Sequence, residues 1–171
     1  MVLVGLGSNQ GESLDIMLHA TEALAQFAVP SSLRSSRFWQ TTPVNCPPGS
    51  GLFINSAAVF EVADGMSPET VLTELKALER KFGRAQNYVR NAPRELDLDL
   101  LLFDDATRDS VDFTLPHPRA HLRKFVLAPA AELVPDVIWP HTGQSIRQLL
   151  ETLNTDEEVA PIRARPPYCE L

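Results

Sequence analysis

Apolar positions recur along this chain in two periods, and the switches between them mark out its elements. Residues 2 to 6, Val2-Leu3-Val4-Gly5-Leu6, predict a buried strand, which the turn formers Gly7-Ser8-Asn9 bring to an end. Ser13 can then cap a helix running to about Phe27. In it Leu14, Met17, Leu18, Thr21, Leu24 and Ala25 keep the three-to-four spacing of one buried face, and Pro30 follows just beyond. Residues 33 to 40 and 52 to 62 predict two more strands. The second carries Phe53, Asn55, Ala57, Val59 and Glu61 on one face and Ile54, Ala58, Phe60 and Val62 on the other. Residues 41 to 51, between them, are so rich in Pro and Gly that they predict a shaped loop.

The next helix has both of its ends written locally. Ser67 is the N-cap, Pro68 opens the first turn, Val71, Leu75, Leu78 and Phe82 form one stripe, and Gly83 terminates it. After an Arg-rich connection, residues 95 to 103 predict a strand, with Leu96, Leu98, Leu100 and Leu102 alternating with Glu95, Asp97, Asp99 and Leu101. The order is therefore β-α-β-β-α-β, the ferredoxin-like order of the α+β class: an antiparallel sheet with helices over one face. A C-terminal extension adds turns and two helices, near residues 121 to 132 and 145 to 153. At 171 residues and 44% hydrophobic, the chain has the material for one substantial core. The expectation is a single domain over residues 1 to 171, with its core at about 2 to 153 and residues 154 to 171 unassigned.

The net charge of −7 argues against a generic nucleic-acid binder, whose affinity for a phosphate backbone comes from Lys and Arg. Cys46 and Cys169 lie far apart and predict neither a disulfide framework nor a metal site. The chain opens on its first strand without a basic leader, and no apolar run approaches the roughly 20 residues that span a bilayer. The expectation is a cytoplasmic protein that uses no membrane.

Chemistry concentrates at Pro93-Arg94-Glu95-Leu96-Asp97-Leu98-Asp99. On a strand Asp97 and Asp99 point to the same side, their Cα atoms roughly 6.6 Å apart. Two carboxylates so placed repel by about 2 to 3 kcal/mol at an effective dielectric near 20, a cost that a cation removes. Magnesium suits such a pair, since it takes one or two carboxylates together with phosphate oxygens and water. Taken alone, the alternation is equally that of a strand with one solvated face. Its neighbours change the picture: Arg84, Arg90 and Arg94 precede it, and His117, Arg119, His121, Arg123 and Lys124 follow. Carboxylates flanked by cationic loops are what phosphoryl transfer requires, because negative charge spreads over phosphate oxygens in its transition state.

This run resembles the signature of the hydroxymethyldihydropterin pyrophosphokinases: Pro-Arg, a variable residue, an aliphatic residue, then Asp-Leu-Asp. Other markers agree in order, namely Gly7-Ser8-Asn9, Phe53-Ile54-Asn55, Gly83-Arg84, Leu115-Pro116-His117-Pro118 and Arg123-Lys124-Phe125. The resemblance covers roughly residues 2 to 153. It implies transfer of a diphosphate from ATP to 6-hydroxymethyl-7,8-dihydropterin, giving AMP and the pterin diphosphate, in folate biosynthesis. It further implies that Asp97 and Asp99 hold two magnesium ions, and that Arg84 and Arg94 join them in catalysis by positioning and stabilising the phosphates. Leu100, Thr114, His117 and Arg123 would bind ATP. The pterin would lie between Phe53 and Phe125, with Asn55 as hydrogen-bonding side chain and Thr41, Thr42, Pro43 and Val44 reading its edge. ATP and the pterin would be the only partners of a monomer.

Phe53 stands where the family often has Tyr, which keeps a stacking face. Gln86, Asn91 and Asp112 depart further, standing where Arg, Trp and Arg are frequent. Without the resemblance, both Phe residues read as core packing. A nucleotidyltransferase also pairs a Gly-Ser with two Asp, but there the pair follows within a short helix and turn, whereas almost 90 residues intervene here. An RNA-binding module would want exposed aromatics among basic residues on the sheet face, where this chain offers Asn55, Asp97 and Asp99.

Overall fold

The computed structural model describes residues 1–9, 13–41, 51–82, 96–163 and 166–169. In chain order the elements are β1 (Val2–Ser8), α1 (Ser13–Leu24), β2 (Arg34–Ser35), β3 (Trp39–Thr41), β4 (Phe53–Phe60), α2 (Pro68–Lys81), β5 (Asp97–Phe103), β6 (Arg108–Asp109), β7 (Thr114–Leu115), a 3-10 turn (Ala120–Leu122), α3 (Lys124–Leu133), α4 (Ile146–Thr152) and β8 (Val159–Pro161). Six strands form one sheet in the order β5-β1-β4-β3-β8, with β2 also on β4, and every pairing is antiparallel. The chain is thus a mixed α/β protein built on an antiparallel sheet.

Helices cover both faces of that sheet, where the sequence had predicted one. Val2, Val4 and Leu6 of β1, Ala58 and Phe60 of β4, and Leu98 and Leu100 of β5 pack with Met17, Ala20 and Leu24 of α1 and with Val71, Leu75 and Leu78 of α2. On the opposite side Leu3, Ala57, Val59, Leu101 and Leu102 meet Leu127, Ala130 and Leu133 of α3 and Ile146 and Leu149 of α4, around a buried Trp139. Each large aliphatic side chain so buried contributes about 1.5–3 kcal/mol, an upper estimate.

α2 and α4 follow the local signals at their N-terminal ends, while Gly83, the expected terminator of α2, lies outside the described residues. Ser67 accepts from the Thr70 amide, and Ser145 with Gln148 forms a full capping box. α1 departs at its end: past Leu24 the amides of residues 25 to 27 bond three residues back, a tightened turn instead of another α-turn. The predicted strand at 33 to 40 divides into β2 and β3, because Ser36 interrupts it. Its hydroxyl accepts from the Ala57 amide at 2.9 Å, while Phe38 turns fully into the α1/α2 core. Thr41, expected at the start of the loop, closes β3. The helix expected near 121 to 132 is a 3-10 turn followed by α3, which starts at Lys124.

β5 keeps the predicted alternation only as far as Leu100. Val4 pairs with Leu100 and the next residue of β1, Leu3, with Leu102, leaving Leu101 as a bulge. Leu102 therefore joins Leu101 in the α3/α4 core instead of sharing a face with Leu96, Leu98 and Leu100. The tail has a structure of its own: β8 pairs with β3, and Pro167 and Tyr168 accept hydrogen bonds from Ser35.

Candidate active site

The strand register assembles one polar row across the sheet. Trp39 pairs with Asn55, Asn55 with Gly7, and Gly7 with Asp97, so the four lie side by side on β3, β4, β1 and β5. Gly5 pairs in turn with Asp99, and Thr41 with Phe53. Because Leu3, Val59 and Leu101 share the parity of these residues, the row lies on the face that α3 covers. Asn55 and Asp97 are two strands apart, about 9.5 Å. Only Gly7 stands between them. A methyl group on Gly7 would lie 3.0 Å from Asn55 Oδ1, and one on Gly5 would touch Leu101 at 3.4 Å, so the two glycines leave the floor beside the carboxylates open.

Asn55 is almost fully buried, and its Nδ2 donates to Thr41 Oγ1 at 2.8 Å, which fixes the amide plane. Trp39 carries the Arg37 guanidinium over its ring at 5.6 Å, and its buried Nε1 has no hydrogen-bond partner among the described residues. Asp97 and Asp99 are half-buried, within reach of water and of a cation. From the outer side of β5 the buried Glu79 accepts from the Leu98 amide at 2.8 Å, while Lys76 Nζ donates to the Leu98 carbonyl at 2.9 Å. Leu98 separates the two Asp residues, so this Lys76–Glu79 pair holds their strand at its open edge.

α3 is clamped over the row. Arg37 binds Glu132 near its C-terminal end through Nε, Nη2 and the backbone amide. At the other end the buried Glu157 accepts from the Lys124 and Phe125 amides at 2.7 and 3.3 Å, with Arg123 Nη1 at 3.6 Å from its other oxygen. Arg123 and the half-buried Phe125 thus stand at the N-terminal end of a helix fixed at both ends.

Thr114 and His117 lie elsewhere. With Arg108, His121, Trp139 and His141 they line a cavity of about 420 Å³. His121 Nδ1 is buried there without a partner among the described residues. Neither Asp97 nor Asp99 lines this space.

Residues 3–135 match the 7,8-dihydro-6-hydroxymethylpterin-pyrophosphokinase (HPPK) family. The chain belongs to this family. It is 36% identical over 152 residues to the 2-amino-4-hydroxy-6-hydroxymethyldihydropteridine pyrophosphokinase of Synechocystis sp., covering 89% of this chain and 75% of that one. To the enzyme of the same name from Aquifex aeolicus it is 31% identical over 171 residues, 98% of this chain and 95% of that one. In fold it resembles the solved wild-type HPPK-DHPS of Plasmodium falciparum with pteroate, with a TM-score of 0.66 at 12% identity over 88% of this chain. This chain spans 41% of the length of that one. The resemblance read from the HPPK signature and its companion markers is therefore borne out.

Of the residues expected in an HPPK site, Thr41, Phe53, Asn55, Asp97 and Asp99 are brought to one face of the sheet, with Phe125 and Arg123 on the helix that covers it. Leu100 is not; its side chain is buried in the α1/α2 core. Arg84, Arg94, Thr42, Pro43 and Val44 lie outside the described residues, as do Gln86 and Asn91. Sequence reasoning missed Trp39, Gly5 and Glu157. Glu157 carried no local signal, since its partners are 32 and 33 residues away.

The carboxylate pair fits magnesium. Among the described residues no group of three or more His, Cys, Asp or Glu could hold a metal, and a pair of carboxylates such as Asp97 and Asp99 is enough protein for this ion. That leaves most of the coordination shell to phosphate oxygens and water, as magnesium prefers.

Proposed function

We propose that this chain transfers a diphosphate from ATP to 6-hydroxymethyl-7,8-dihydropterin, on the face of the sheet that α3 covers. The observation that carries the reading is the Asn55–Gly7–Asp97 row. It sets an amide able to read a heterocycle about 9.5 Å from a cation-binding carboxylate, with one glycine between them. Phe53 and Phe125 would stack on the two faces of the pterin, and Asn55 with Thr41 to Val44 would read its edge. The pterin hydroxyl oxygen attacks the β-phosphorus of ATP. The bond from that phosphorus to the oxygen bridging to the α-phosphate breaks, AMP leaves with that oxygen, and the hydroxyl proton passes to solvent.

Asp97 and Asp99 would hold magnesium, two ions by the family resemblance, which supplies charge neutralisation along the phosphates when bound. Arg84 and Arg94 would orient the transferring group. Arg123, and His117 and Thr114 from their own cavity, would hold the rest of ATP. Leu100, with its side chain in the core, would meet the adenosine through its backbone at the outer edge of β5. The order β5-β1-β4-β3, with crossovers through α1 and α2, supports a ferredoxin-like core with residues 104 to 171 as an extension, all in one domain. The same reading has it act on small molecules as a cytoplasmic monomer.

The test is AMP formation from ATP that requires both hydroxymethyldihydropterin and magnesium. Free AMP with a diphosphorylated pterin is the expected outcome. An AMP moiety left on the acceptor would make the protein a nucleotidyltransferase instead.

A further inference from the structure

The residues beyond the family match, which ends at 135, reach both walls of the proposed pterin slot. One wall is Phe125, in the first turn of α3. Arg123, at the N-cap of that helix, makes no side-chain capping bond, and Pro129 cannot donate back to the Phe125 carbonyl. The first turn is therefore short of its own hydrogen bonds at both the amide and the carbonyl side. Glu157 supplies the missing acceptor: its Oε2 takes the Lys124 and Phe125 amides, and it is itself buried to 9% exposure. The other wall is Phe53, which pairs across the sheet with Thr41, the residue that accepts from Asn55. Thr41 is held in register by Val159 of β8, two residues along the tail from Glu157 and at most about 7 Å of extended chain away.

We propose that residues 157 to 161 set the width of the pterin slot, and that Glu157 is a positioning residue which holds Phe125 through the backbone of the first turn of α3. The inference rests on the reading that Phe125 stacks on the pterin. Glu157 touches no substrate; it fixes where the aromatic wall stands relative to Asn55. Of the groups proposed to hold ATP only Arg123 touches Glu157, by one ion pair at 3.6 Å, so ATP affinity should change less than pterin affinity.

Pterin and ATP affinities, measured separately with a non-hydrolysable ATP analogue present for the former, test this together with thermal melting. Glu157→Ala should weaken pterin binding about fivefold, the worth of one well-placed aromatic contact, with ATP affinity within about twofold. Glu157→Gln, which keeps an acceptor for the two amides, should restore pterin binding. Phe125→Ala should weaken pterin binding itself, and Glu157→Ala should add nothing to it. If Glu157→Ala does not accumulate, Glu157→Asp decides, its carboxylate ending one methylene short: a threefold weaker pterin affinity on the same scale supports the proposal, and an unchanged one overturns it. Wild-type pterin affinity in Glu157→Ala, or an equal loss for both substrates alongside a lowered melting temperature, also overturns it. Wild-type pterin affinity in Phe125→Ala would instead remove the stacking reading on which it rests.

Discussion

The two faces of the sheet use the same three strands differently. Toward α1 and α2, β1, β4 and β5 present Val2, Val4, Leu6, Ala58, Phe60, Leu98 and Leu100, apolar but for the small buried Ser8 and Ser56. Toward α3 and α4 the same strands change character part-way. β1 passes from Leu3 to Gly5 and Gly7, β4 from Val59 and Ala57 to Asn55, and β5 from Leu101 back to Asp99 and Asp97. The first face is given entirely to packing. The second packs α3 and α4 at one end and leaves a polar, glycine-floored end free for chemistry. Period-two alternation makes this division possible, since neighbours on one strand can carry stability and function independently.

The largest effect should come from the polar end. Asp97→Ala and Asp99→Ala should each lower diphosphate transfer on the order of a thousandfold or more, because a cation ligand is lost, and Asp99→Ala should leave the melting temperature unchanged or raised, because like-charge repulsion is relieved. Near-normal turnover of either variant at ordinary magnesium concentration would break the division between the faces. Next is the residue between them. Leu98→Ala empties a fully buried position on the other face and should cost about 2–5 kcal/mol in denaturant unfolding, with turnover per folded molecule largely kept. A selective loss of turnover without loss of stability would show that the apolar face also serves the chemistry.

Gly7→Ala sharpens the comparison at the floor of the site. The new methyl meets Asn55 Oδ1, which Thr41 prevents from swinging freely, so pterin affinity should fall about tenfold, equivalent to the low end of the strain from overpacking. Pterin titration that matched wild type would mean that Asn55 has no part in recognition. The smallest effect lies away from both faces. A hydrogen bond from the Arg108 guanidinium holds the exposed Glu69 carboxyl down at about 2, against an ordinary 4.5. Its contribution to stability is present above 4.5 and is lost as pH falls toward 2. Glu69→Gln should therefore slightly flatten the acid limb of stability against pH and leave the neutral plateau and the activity unchanged; identical acid limbs would show the pair to be idle, as many surface pairs are.

What the sequence determined by itself was whatever depends on neighbours in the chain. α2 and α4 follow from their caps and apolar stripes, because a helix satisfies its backbone within itself and its ends are closed by residues three or four positions away. The Asp97–Asp99 pair and Asn55 were legible for a similar reason, as alternation on one strand and as members of short motifs. Tertiary structure decided everything that needs a partner strand or a distant side chain. The bulge at Leu101 exists only in register with Leu3 and Val4, and it alone sends Leu102 to the opposite core. The break between β2 and β3 depends on Ser36 meeting Ala57. Glu157 became a cap for α3 only when β8 joined the sheet edge and brought it within 2.7 Å of the Lys124 amide. A strand or a tail leaves its hydrogen bonds to be completed by segments far along the chain, and no local pattern records which segments those are.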